Sequence, residues 1–155
     1  MIGILVISHE PLGTALIHCT RHIFSRLPSQ LAALDVIPDE DPGQALAGAQ
    51  ELLARINDGS GAVVLTDLFG ATPSRVACRL VVPGRIAVVG GVNLPMLVRA
   101  LNYRKGPMPL DQLVERIAEG GRAAIMPLEL LVCDGEVAGE ASEPPRIGSD
   151  GDGEG

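Results

Sequence analysis

The 155-residue chain has no Trp, one Tyr and two Phe. Its core must therefore be filled by the Ala, Val, Leu and Ile that make up most of the 46% apolar content, which favours a layered α/β domain. Cysteine is scarce as well. Cys19, Cys78 and Cys133 are odd in number and lack any C-x-x-C spacing, so neither a disulfide framework nor a zinc knuckle is expected, and a reducing cytoplasm suits them. The first apolar stretch is strand-length with no basic residue ahead of it. No apolar run approaches a bilayer span, so a soluble protein without membrane insertion is expected. Lysine occurs once, at Lys105.

The formal charge of −7 is unevenly placed. From residue 127 onward there are eight acids and one Arg, while residues 1–126 carry eleven of each sign. A neutral body offers phosphate backbones no basic excess, which argues against nucleic-acid binding. The sequence divides accordingly: a folded domain over 1–126, and an acidic tail over 127–155, rich in Gly, Glu, Asp, Ser and Pro, that is expected to be disordered. Leu128, Leu130, Leu131 and Val132 are candidates for a docking arm.

Along 1–126, strand and helix signals alternate. MIGILVISHE opens with an uncharged apolar run suited to a central parallel strand, with Ser8, His9 and Glu10 just beyond its carboxyl end. Leu12, Ala15, Leu16, Cys19 and Ile23 have helical spacing, predicting a helix over about 12–26. Leu31–Val36 reads as a weaker second strand. Asp41 before Pro42 is a cap followed by a ring set for the first helical turn, and Ala45, Ala49, Leu52, Leu53 and Ile56 form one stripe after it.

Gly61–Thr66 is a third strand, and Thr72–Pro73 repeats the cap-and-proline pattern for a helix to about Leu80. Arg85–Val89 is a fourth strand, followed by an Asn93 cap, Pro95, and Leu97, Val98 and Leu101 facing inward. Leu110, Leu113, Val114 and Ile117 mark a last helix ending at Gly120–Gly121. Ala123–Met126 is a candidate short edge strand. This alternation predicts an open, doubly wound, mostly parallel sheet of order 2-1-3-4.

In that order the first and third strands meet where the winding reverses, and ligands bind at such a point. His9 and Asp67 are what the two strands deliver there. A carboxylate beside an imidazole fixes the tautomer and leaves the other ring nitrogen's lone pair free to attack. Beside them the amides of Gly70, Ala71 and Thr72, with the Thr72 hydroxyl, suggest an anion site at a helix N-terminus. An activated imidazole next to an anion site points to phosphoryl transfer through a phosphohistidine, which requires alignment and charge stabilisation but no cofactor or metal. The alternatives are an aspartate-phosphorylated receiver-like domain, which lacks the acidic pair on strand one and the lysine after a fifth strand, and a non-catalytic module binding a phosphorylated ligand. His18 and His22, four apart, are weak metal candidates. Arg75 and Arg79 read as solvated helix positions.

VISHE, the loop TDLFGATPSRVA and the run GVNLPMLVRAL together resemble the IIA component of mannose-type sugar phosphotransferase systems over residues 1–126. The resemblance implies a cytoplasmic, homodimeric phosphocarrier that accepts a phosphoryl group from the histidine phosphocarrier protein HPr and passes it to a IIB component, expected here as a separate protein, or uses it as a regulatory signal. It implies that His9 is the phosphorylated residue, Asp67 its orienting carboxylate, Thr72 the hydroxyl at the phosphate site, usually serine in the family, and Phe69 an exposed aromatic or apolar loop position; in a glycine-flanked loop Phe69 is a candidate partner contact. Glu10 departs from the family's usual glycine after the histidine. Ala71 departs from a second loop glycine.

Overall fold

The computed structural model describes residues 1–129. The expectations for the acidic tail and for an arm through Leu130–Val132 fall, from residue 130 on, outside the described residues. Nine elements follow one another over residues 3–123: β1 (Gly3–His9), α1 (Leu12–Phe24), β2 (Leu31–Val36), α2 (Pro42–Ile56), β3 (Ala62–Thr66), α3 (Thr72–Cys78), β4 (Ile86–Val89), α4 (Leu94–Tyr103) and α5 (Leu110–Ala123). All strand pairs of the sheet are parallel and the order is β2-β1-β3-β4, as the alternating pattern predicts. β1 therefore lies between β2 and β3, with Ile7 opposite Thr66 and His9 opposite Val36.

The period-two geometry of a strand sends alternate side chains of β1 into separate cores. Ile4 and Val6 join Val63 and Leu65 under α1, α4 and α5. Leu5 and Ile7 join Val64 under α2 and α3. Burial on both faces explains why β1 reads as a continuous apolar run rather than an alternating one. It also leaves the carboxyl end as the place where β1 can present a polar group.

Several expectations need correction. The strand includes Ser8 and His9 rather than ending before them. The inward line of α1 is Gly13, Leu16 and Thr20, while Leu12, Cys19 and Ile23 are exposed. Gly13 sits so close to β2 that a Cβ there would lie 2.8 Å from Asp35 Oδ1, so this approach rather than the apolar stripe sets the rotation of the helix. On α4, Met96 and Ala100 are buried with Leu97 and Leu101, and Val98 is only half-buried. Gly120–Gly121 does not end α5 but lies within it, packed against Arg99 and Met96 of α4, and the helix continues to Ala123. Ala123–Met126 consequently forms no edge strand.

Candidate functional site

At the carboxyl edge of the sheet, backbone pairing between β1 and β3 stops at Ile7 and Thr66, and a side chain takes over. Asp67 Oδ2 accepts the His9 backbone N–H at 2.9 Å and lies 2.7 Å from His9 Nδ1. The other carboxylate oxygen, Oδ1, accepts the Leu68 N–H at 2.8 Å. An ionised carboxylate only accepts, so Nδ1 is the protonated nitrogen and the pair selects one tautomer. Nε2 keeps its lone pair. The Asp67 side chain is 14% exposed and the His9 side chain 53%, so the acid is sheltered while the ring reaches solvent.

Burial is the strongest single influence on Asp67 and raises its pKa. It is outweighed by the hydrogen bonds from the His9 N–H, the His9 ring and the Leu68 N–H, with the ring's attraction added, and the carboxyl is held below its ordinary value. Asp67 is thus ionised at neutral pH. The loop after β4 fastens the same corner, because Gly91 N–H donates to Asp67 O and Val92 N–H to Thr66 O, both at 2.9 Å.

The segment between β3 and α3 differs from the expected amide cradle. Ala71, not Thr72, is the cap residue of α3, and Thr72 is its first helical residue with no side-chain cap bond. The capping role falls to Ser74, whose hydroxyl accepts the Gly70 N–H and donates to Ala71 O, each at 2.9 Å. Ala71 N–H is directed to Leu68 O at 3.3 Å. Two of the three expected amide donors, Gly70 and Ala71, are therefore engaged within the loop itself. Gly70 is needed for its φ of 88°, not for space, as a Cβ there would meet nothing within 4 Å. Ala71 is extended at φ −80°, so the missing second glycine costs nothing.

Thr72 remains at the site. It borders a cleft of about 420 Å³ together with His9, Glu10, Asp39 and Glu40. Three carboxylates thus rim the opening. Glu40 is partly occupied with its own loop, accepting the Ile37 N–H at 3.2 Å. Phe69 stands 89% exposed beyond Asp67, with Leu68 and Ile37 also open to solvent. Asp35, which sequence reasoning did not single out, accepts both the N–H and the hydroxyl of Thr14 and so ties the start of α1 to β2, fixing the chain that leaves His9. Its signal was a lone acid within an apolar strand.

His18, His22, Arg75 and Arg79 are exposed. Among the described residues no three His, Cys, Asp or Glu side chains are grouped to share a metal ion. No helix among them is long and apolar enough to cross a membrane.

A family model described as the PTS system fructose IIA component, EIIA-man, matches residues 3–118. The mannose-specific EIIAB component of the PTS from Escherichia coli (strain K12) is 29% identical over 114 residues, covering 73% of this chain and 35% of that protein. The chain spans about a third of the length of the curated relatives it matches. Among solved structures, the phosphotransferase system component EIIA from Streptococcus agalactiae superposes with a TM-score of 0.73 at 24% identity, covering 82% of this chain and 97% of that one. The mannose/sorbose specific IIA subunit from Enterococcus faecalis gives 0.72 at 23%, covering 83% and 96%. These two likenesses concern the fold.

Proposed function

The chain belongs to the EIIA-man family of sugar phosphotransferase IIA components, proteins of phosphoryl transfer in sugar uptake, and on that premise we propose that it is a cytoplasmic phosphocarrier working through His9. The single observation that carries this reading is the 2.7 Å contact of His9 Nδ1 with Asp67 in a ring that is half open to solvent. With Nδ1–H held by the carboxylate, Nε2 is the free nucleophile. It attacks the phosphorus of a donor phosphohistidine on HPr; the donor's N–P bond breaks, the Nε2–P bond forms, and the electron pair returns to the donor ring. No proton need leave His9 in this step. The ring gains imidazolium character, which the Asp67 charge stabilises. The reverse geometry hands the group on to a IIB acceptor.

Thr72 supplies the hydroxyl donor to the phosphoryl oxygens, since it shares the cleft with His9. Gly70 and Ala71 serve mainly to shape the loop. Phe69, with Leu68 and Ile37, offers the apolar contact that a partner protein covers. The rim of Glu10, Asp39 and Glu40 favours a partner with a basic docking face. Asp67 itself is a poor phosphoryl acceptor, because both its oxygens already accept hydrogen bonds and the group is sheltered.

The experiment is labelling with phosphoenolpyruvate, enzyme I and HPr. The native protein should take up a phosphoryl group that is acid-labile and base-stable, as a phosphoramidate is. His9→Ala should take up none while retaining native circular dichroism. Normal labelling of that variant, or an acid-stable and base-labile product, would contradict the proposal.

A further inference from the structure

At the opposite, amino-terminal edge of the sheet, a groove of about 470 Å³ opens between the end of α1, the lead into β2 and the end of α4. Arg26, Arg104 and Lys105 line it, and among the described residues no Asp or Glu does. Arg104 is only 3% exposed. Its two terminal nitrogens donate to Gln30 O at 2.9 Å and Ser29 O at 2.5 Å, while its Nε–H finds no acceptor among the described residues. No carboxylate among those residues pairs with it. Burial pulls its pKa below the ordinary arginine value.

A desolvated cation is costly without a counter-charge. The two carbonyls explain a latch on the chain entering β2, but not why two further cations, both exposed, gather beside it. Like charges in one groove repel and offer the fold nothing. The carbonyl ends of α1 and α4 contribute partial negative charge, about half an elementary charge each. That falls short of three full positive charges, and Ser29 and Gln30 already spend acceptors on Arg104.

We propose that this groove binds a small, multiply charged anion of the phosphate-ester class, with Arg26 and Lys105 gripping its oxygens and the uncompensated Arg104 charge drawing it in. Phe24, Leu27 and Leu101 give the groove an apolar wall for the uncharged part of such a ligand. The volume suits one small molecule, and the equal numbers of acidic and basic residues over 1–126 leave no net positive charge to hold a polyanion. The site lies at the sheet edge away from His9, so it is independent of the transfer cleft.

The test is calorimetric titration of the full chain at constant ionic strength with inorganic pyrophosphate, with a hexose 6-phosphate and with the uncharged hexose. Saturable binding of at least one of the two anions, none of the hexose, and the same affinity in Thr72→Ala are expected. Arg26→Gln combined with Lys105→Gln should weaken that binding by at least about tenfold, each lost charge-assisted contact contributing. Both positions are exposed, so the fold should persist by circular dichroism. Absence of saturable binding by either anion, an affinity unchanged in the double variant, or a loss in Thr72→Ala would overturn the assignment.

Discussion

Asp67 carries two tasks through one carboxylate: Oδ2 ends the β1–β3 ladder on the His9 N–H and at the same time fixes the imidazole. Asp67→Asn keeps the size of the side chain but loses the charge that, on the proposed function, stabilises a phosphorylated ring, and it can present an N–H to Nδ1 and so select the wrong tautomer. Phosphoryl transfer in this variant should slow by roughly 10²-fold or more, measured by rapid-quench labelling. An unchanged rate would leave the carboxylate a purely structural cap. The lowered pKa also gives a sign for stability. A carboxyl held below its ordinary value contributes fully above about pH 4, where the unfolded group is ionised, and loses that contribution as pH falls through its folded value. The difference in urea midpoint between the native protein and Asp67→Asn should hold steady from pH 7 to about pH 5 and shrink below about pH 4. A difference already gone at pH 6 would assign the stabilisation to another group.

Helices and strands were legible where a single local signal decides the outcome. Asp41 and Asn93 cap α2 and α4 through their side chains, accepting from Gln44 N–H at 3.1 Å and Met96 N–H at 2.9 Å, as an acid or amide ahead of proline suggests. The same pattern at Thr72–Pro73 failed because a competing hydroxyl, Ser74, is placed to serve the turn from inside the helix. The diglycine of α5 misled for another reason: close helix packing and helix termination both call for glycine, and only the neighbouring helix distinguishes them. A Cβ on Gly121 would lie 2.5 Å from Met96 Cγ. Gly121→Ala is therefore expected to overpack the α4–α5 contact and cost about 1–3 kcal/mol in chemical denaturation, instead of gaining the helical propensity that an open site would give. A stabilised variant would show that this contact is slack. Asn93 also donates from Nδ2 to Gly121 O at 3.3 Å, so the cap of α4 and the packing of α5 are one joint.

Taken together, residues 1–125 form one compact unit, and the order of its strands puts the imidazole and its acid at the ends of neighbouring strands without any long-range design beyond parallel pairing. What composition alone hid was the electrostatics of the surface: a neutral body resolves into an acidic rim at the His9 cleft and a cationic groove at the far edge of the sheet. The acidic rim should make phosphoryl exchange with HPr fall steeply with ionic strength, and charge neutralisation at Glu10 and Asp39 should flatten that dependence in stopped-flow measurements. A flat salt profile in the native protein would remove the rim from partner selection. Phosphoryl transfer through His9 depends on which ring nitrogen is free. Nitrogen-15 and phosphorus-31 NMR of the phosphorylated protein, labelled in histidine, reads that directly: the account predicts a phosphoryl group on Nε2 of His9 with Nδ1 still protonated, whereas a phosphoryl group on Nδ1, or on any other residue, would contradict it.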